Sequence, residues 1–171
     1  MVFQLASRPA TPADKDFLFQ LYAGTRMAEI AGFGWNEAQK QAFLTLQFTA
    51  QQRWYENAYP SAEQRVLLLE SRAIGRTIVD RQMEAAILVD ISLLPENRGQ
   101  GIGTTVLREL LEQCRRYGVP FRLQVLRTNP AQRLYARLGF RKTGEDALYL
   151  QMEWRPDSST TITPPGRPDS V

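Results

Sequence analysis

Apolar residues change their spacing several times along this chain, and each change marks an element. Residues 3–8 (FQLASR) read as a short first strand. The following TPADKDFLFQLYAGTR turns helical, with Thr11 as N-cap, Pro12 at the first helical position and Asp14 in the first turn. Phe17, Leu18, Leu21 and Tyr22 then recur at helical spacing. Gly24, Gly32 and Gly34 mark looser chain before a second helix predicted over 36–55, capped by Asn36 with Gln39 three residues on. Its apolar stripe reads as Ala42, Phe43, Leu46, Ala50 and Trp54. Beyond Pro60, residues 64–70 and 74–80 read as a pair of strands.

The segment 85–94 (AAILVDISLL) is apolar on both faces and predicts a mostly buried strand. A glycine-rich stretch follows, then a helix over 103–117 with Val106, Leu107, Leu110, Leu111, Cys114 and Tyr117 as its stripe. Residues 118–120 end it, and 121–126 make the next strand. A short helix carries Ala131, Leu134, Tyr135 and Leu138 until Gly139 stops it, and a hairpin-like return ends in a strand at 147–154. A helical pair, then mostly strands with one late strand–helix–strand–helix unit, predicts an α/β domain over 1–154. Its sheet should be mixed and largely antiparallel, with a parallel pair at the centre. From Arg155 onward four prolines and no apolar period predict a disordered tail over 155–171.

Composition narrows the chemistry more than the fold. The chain has 171 residues, enough for one full core and too few for two ordinary domains. A net charge of +3, from 21 basic and 18 acidic residues, is too even to argue for nucleic acid. There is no histidine, which removes Ser-His and Cys-His pairs and any histidine-based metal site, so no metal is expected. One cysteine, Cys114, allows no intrachain disulfide and reads as part of the helix stripe. No apolar run approaches a membrane span and the start does not read as a secretory signal, so a soluble cytoplasmic protein is expected.

The stretch PENRGQGIGTT (95–105) holds three glycines in five positions at the start of a helix. Free amides there, with no Cβ in the way and the helix dipole behind them, suit a phosphate. The spacing excludes a Walker loop, because no lysine follows Gly103. It also departs from the dinucleotide pattern, running G-x-G-x-G without an acidic residue at the end of the next strand. What fits is R-x-x-G-x-G, with Arg98, Gly101 and Gly103.

With this motif, and with NPAQRLYARLGF (129–140) one helix and one strand later, the chain resembles the GNAT superfamily of acyl-CoA-dependent N-acyltransferases. The resemblance covers about 64–154 and is weaker over the first two helices. It implies a single-domain GNAT-like α/β fold, a twisted, mostly antiparallel sheet flanked by helices, with its central parallel pair splayed. It implies acetyl-CoA as cosubstrate, with the pyrophosphate held by the amides from Gly99 through Gln100, Gly101, Ile102 and Gly103 to Thr104, beside the Thr104 hydroxyl and Arg98. The peptide-like pantetheine arm would pair with the strand edge at Ile91, Ser92 and Leu93 and with the Asn129 side-chain amide. Asn129 reads equally well as the cap of the helix that begins at Pro130. A backbone N–H near Ile91 or Leu93 would hold the acetyl oxygen. Tyr135 occupies the family's position for the acid that protonates the departing thiolate, though its place in an apolar stripe also reads as core.

The acceptor amine must lose a proton, and the sequence assigns no base. Strict alternation puts Ile87, Val89, Ile91 and Leu93 on the face toward the acceptor and Asp90 on the other, unless a bulge reverses it. Glu29, Glu70, Asp80 and a water chain remain as alternatives. Arg127, Arg133, Arg137, Arg141 and Lys142 read mainly as a solvated basic face. The expected activity is direct acetyl transfer to a primary amine of a small molecule or peptide. The first two helices and IAGFGW (30–35) would wall the acceptor site. The alternative is a GNAT-like module that binds CoA or a partner without catalysis. Neither nucleic acid nor membrane is expected as a partner, and homodimerisation is left open.

Overall fold

A computed structural model describes residues 4–157. Seven strands form one sheet: β1 (Leu5–Pro9), β2 (Glu63–Leu69), β3 (Arg72–Arg81), β4 (Ala86–Leu93), β5 (Phe121–Leu126), β6 (Arg141–Glu145) and β7 (Tyr149–Trp154). Their spatial order is β1-β2-β3-β4-β5-β7-β6. Every neighbouring pair is antiparallel except β4 with β5, which is parallel. The helices are α1 (Lys15–Ile30), α2 (Glu37–Ala58), α3 (Ile102–Tyr117) and α4 (Gln132–Arg137). The architecture is the mixed α/β sheet with a central parallel pair that the sequence predicts. From residue 158 the expected tail lies outside the described residues.

Two apolar clusters position everything else. The larger one joins the sheet to α3 and α4 through Leu88, Leu107, Leu111, Phe121, Leu123, Tyr135 and Phe140, among others. Phe121 and Leu107 are almost wholly enclosed, and each such side chain contributes about 1.5–3 kcal/mol by leaving water. The smaller cluster joins α1 to α2 through Leu18, Tyr22, Ile30, Leu44 and Phe48. The Asn36 cap forms as the sequence suggests, since its Oδ1 accepts from Gln39 N–H at 2.9 Å and Gln39 Oε1 accepts from Asn36 N–H at 3.0 Å. Near the chain start, Asp14 accepts from Thr11 N–H at 2.8 Å and pairs with Arg8.

Two expectations about side-chain faces change, and one strand is added. On α2 the buried residues are Leu44 and Phe48, while Leu46 is 66% and Trp54 is 56% exposed. The helix carries two apolar rows, and the one that docks is set by the rings of Phe19 and Tyr22, each 5.6 Å from Phe48. On α3, Tyr117 is 76% exposed; it is the last residue of the helix, which Gly118 ends at φ 65°. The segment RKTGE forms a separate strand, β6, at the sheet edge; its charged residues hide the strand signal and protect the edge from further pairing.

The centre of the sheet holds the two irregularities that make a site. Strands β4 and β5 pair only over Ala86–Leu88 against Phe121–Leu123 and have no recorded pairing beyond that point. In the β3–β4 ladder, Val79 faces Leu88 but Ile78 faces Asp90, so Val89 is an extra residue, a bulge. The bulge breaks the expected alternation. Ala86 and Leu88 lie in the core beneath α3, and after the bulge Ile91 and Leu93 pack against that same core. Asp90 is turned to the other face, toward α2.

Candidate active site

The glycine stretch is built by backbone geometry rather than by lack of space. After a single turn at Pro95–Asn97, Gly99 and Gly101 adopt φ of 70° and 80°, left-handed values that side chains resist. A Cβ at either would meet no atom within 4 Å. Gly101 caps α3, and the first helical closure is Thr105 N–H donating to Gly101 O at 3.0 Å. The amides of Ile102, Gly103 and Thr104 therefore have no backbone acceptor among the described residues, as the first turn of any helix requires. The Ile102 side chain is buried in the core, so only its amide faces the loop. Arg98 is anchored, its Nε donating to Leu93 O at 2.9 Å, and Gln100 Nε2 donates to Glu96 O at 2.7 Å. A preorganised row of donors with an adjacent arginine is a cradle that fits a pyrophosphate.

Beside this cradle, β4 presents its unpaired edge along Ile91, Ser92 and Leu93. Asn129 lies just past the end of β5, and its Oδ1 accepts from Ala131 N–H at 2.9 Å. That bond closes a turn just before α4, whose N-cap is Ala131 rather than Asn129, and leaves the Asn129 NH2 without a protein acceptor among the described residues. Tyr135 on α4 is 7% exposed and packs edge-on against Phe140 at 5.7 Å. Burial pushes its hydroxyl up to about 12, with the negative charge of Asp90 adding to the effect. Tyr135 thus keeps its proton at neutral pH and lies within electrostatic reach of Asp90.

Asp90 is the one carboxylate among the four acids considered that the fold brings into this neighbourhood. Its Oδ2 accepts from Arg76 Nε at 2.7 Å and from Ser92 Oγ at 2.9 Å. Its side chain is 20% exposed, and Oδ1 has no protein donor among the described residues. Arg76, Gln51 and Tyr55 complete the surroundings and were not singled out from the sequence; the available signal was an arginine inside the apolar run AIGRTIV. Burial raises the Tyr55 hydroxyl well above the usual phenol range, Asp90 adds to this, and Arg76 and Arg26 oppose it. Glu29 is occupied by Arg26 on α1, Glu70 sits in the turn before β3, and Asp80 is buried near the start of β4. Cys114 is buried, and desolvation raises its thiol to about 11, so it is no nucleophile. A cavity of about 300 Å3 lined by Val79, Ala86, Leu110, Cys114 and Phe121 lies at the opposite end of β4 from the glycine stretch and contains no acid–base pair.

Residues 62–142 match the family model of the acetyltransferase (GNAT) domain. This segment is a GNAT acetyltransferase domain. The match contains the glycine cradle, the β4 edge, Asn129 and Tyr135. No curated protein matches the sequence. Among solved structures, the PaiA N-acetyltransferase of Thermoplasma acidophilum, in complex with coenzyme A, is 20% identical. That match covers 89% of this chain and 99% of the other, with a TM-score of 0.67. A Corynebacterium glutamicum protein described as histone acetyltransferase HPA2 and related acetyltransferase is 20% identical over 92% of this chain and 99% of its own, with a TM-score of 0.65. A GNAT family acetyltransferase from Elizabethkingia anophelis with acetyl-CoA bound is 14% identical over 88% of this chain and 97% of its own, with a TM-score of 0.56. At these identities the likeness is one of fold, and it places the chain in the GNAT fold over nearly its whole described length. The GNAT domain supports the acyltransferase class, and two of these neighbours hold coenzyme A or its acetyl ester. No helix among the described residues is long and apolar enough to cross a membrane.

Proposed function

We propose that this GNAT domain transfers an acetyl group from acetyl-CoA directly to a primary amine, with Asp90 and Tyr135 as the proton acceptor and proton donor. The observation that carries the reading is their complementary state: a carboxylate with one open oxygen, turned inward by the Val89 bulge, within electrostatic reach of a buried tyrosine that stays protonated. The amides of Gly99 to Thr104 and Arg98 hold the pyrophosphate, while the β4 edge at Ile91–Leu93 and the Asn129 NH2 align the arm. A cationic amine meets Asp90 Oδ1, which takes its proton and frees the nitrogen lone pair. The nitrogen then bonds to the acetyl carbon, a β4 amide near Ile91 or Leu93 holds the acetyl oxygen, and the carbon–sulfur bond breaks. Tyr135 hands its proton to the leaving sulfur and is reprotonated at the expense of the second proton on the acylated nitrogen, and Asp90 passes its own to solvent, so the products are a neutral amide and free CoA.

Thiol release from acetyl-CoA, followed with a panel containing a diamine, a lysine peptide and an alanyl peptide, tests the reaction class. Tyr135→Phe should lower kcat by about 100-fold or more while leaving CoA affinity intact. Full activity in that variant would remove Tyr135 from the mechanism, and absence of turnover with every amine would remove the transfer itself. Asp90→Asn should lower kcat by a similar factor, because the amide cannot take the ammonium proton.

A further inference from the structure

We infer that Arg76 is a positioning residue: it holds Asp90 by Oδ2 so that Oδ1 is left for the acceptor. The inference rests on the reading of Asp90 as proton acceptor and adds a residue that touches neither cofactor nor acceptor.

Arg76 stands at the middle of β3, between Val66 of β2 and Ser92 of β4, and is only 3% exposed. Ile74 and Ile78, two residues to either side, are buried apolar side chains, so the position has no packing need for a charge. An ion pair this deep is no better for stability than well-packed apolar residues, because desolvation of the two charges offsets their attraction. Its geometry, however, is directional. Arg76 Nε and Ser92 Oγ both donate to Asp90 Oδ2, at 2.7 and 2.9 Å, and neither makes a hydrogen bond to Oδ1. The pair is thus single-pronged where an arginine and a carboxylate could have paired through both oxygens.

The guanidinium is itself held from the other side. Nη2 donates to Gln51 Oε1 on α2 at 3.0 Å, and the guanidinium carbon lies 5.6 Å from the centre of the Tyr55 ring. Nη1 is buried without a partner, so a rotated, two-pronged pairing was available in donors and was not adopted. The groups around Asp90 are Arg76 from β3, Ser92 from its own strand, Gln51 and Tyr55 from α2 and Tyr135 from α4, with Arg26 of α1 reaching Tyr55. Among the described residues Arg76 is the one cation paired with the carboxylate, and the other groups named are neutral or one residue removed. A single fixed cation on one oxygen sets the direction of the carboxylate and leaves the second oxygen for the incoming ammonium.

The test uses the full chain with Arg76→Gln, Arg76→Lys and Ser92→Ala, and an amine that the parent acetylates. R76Q should lower kcat about tenfold or more and leave the KM for acetyl-CoA unchanged. R76K should recover most of that loss, since it returns the charge, and S92A should lower kcat in the same direction by less. Parental kcat in R76Q, or a change confined to the KM for acetyl-CoA, would overturn the inference. If R76Q does not fold, an S92A kcat equal to the parental value overturns it equally. Combined with D90N, R76Q should lower kcat no further, because Arg76 acts through that carboxylate, and a further loss of similar size would also overturn it. The two readings fail separately: if D90N turns over at the parental rate, the proton-acceptor role falls, whereas a slow D90N beside a fully active R76Q removes only the positioning role.

Discussion

The ring of Pro95 stands 3.3 Å from the point where a Cβ on Gly24 would lie. Gly24 belongs to α1, and Pro95 opens the turn that leads into the glycine cradle proposed to hold the pyrophosphate. Arg98 N–H closes that turn on Pro95 O at 3.2 Å, so displacement of the ring is passed on to Arg98. Gly24→Val should therefore weaken CoA binding by about tenfold, equivalent to about 1.4 kcal/mol, which is within the usual range for overpacking. Calorimetric titration with CoA measures it, and unaltered affinity would show that α1 and the cradle are independent.

Gly101 and Gly103 should behave oppositely toward alanine. Gly101 holds φ 80°, so Gly101→Ala costs about 1–2 kcal/mol of folding stability as well as CoA affinity. Gly103 lies inside the first turn of α3 with Leu93 Cδ1 at 3.9 Å as the nearest atom to an added Cβ. Gly103→Ala should raise stability by up to about 1 kcal/mol through helix propensity. If it also weakens CoA binding, as the cradle requires, its methyl group keeps the pyrophosphate from the amides. Thermal melts with and without CoA separate the two effects, and a G103A protein with full CoA affinity would move the pyrophosphate away from this amide.

The pairing of Arg8 with Asp14 makes stability depend on acid pH. Its hydrogen bond to Arg8, then the Thr11 amide, hold the Asp14 carboxyl well below the usual carboxylate range. A carboxylate lowered in the folded state stabilises fully above the unfolded value near 4, and this contribution fades as pH falls below it. Arg8 is 43% exposed, so solvent screening keeps the gain small. Asp14→Asn should melt about 2–4 °C lower than the parent at pH 7, with the gap narrowing steadily below about pH 4. A gap independent of pH would mean that packing, not charge, is lost.

On α2, Leu44→Ala should cost about 2–5 kcal/mol, whereas Leu46→Ala should stay within about 0.5 kcal/mol of the parent. The first side chain is 3% exposed and the second 66%. Denaturant unfolding of both variants decides which row docks, and equal losses would place both in the core.

Much of the cofactor half was written locally. Gly99 and Gly101 mark left-handed backbone, Thr11 and Asn36 mark helix starts, and the apolar run before the glycines marks a buried strand. Each of these depends on a residue's own φ preference or on a hydrogen bond spanning three or four positions, so the sequence alone determines it. The cradle and Tyr135 were therefore readable as a pair, and with them the family. The sequence also contained two helical rows on α2, and it could not choose between them because the choice belongs to the rings of α1.

Tertiary structure decided the acceptor half. Nothing local distinguishes Val89 from its apolar neighbours, yet it is the residue left over when β4 pairs with β3, and that single slip turns Asp90 from its expected face. Arg76 and Asp90 are fourteen positions apart and meet only across that ladder, and Gln51 joins them from a helix that precedes both strands. Strand register is fixed by the sum of packing on two faces and has no signature in any one residue. The chain thus announced its glycine cradle through backbone chemistry, while the carboxylate proposed to receive the acceptor's proton emerged only once β3, β4 and α2 were packed together.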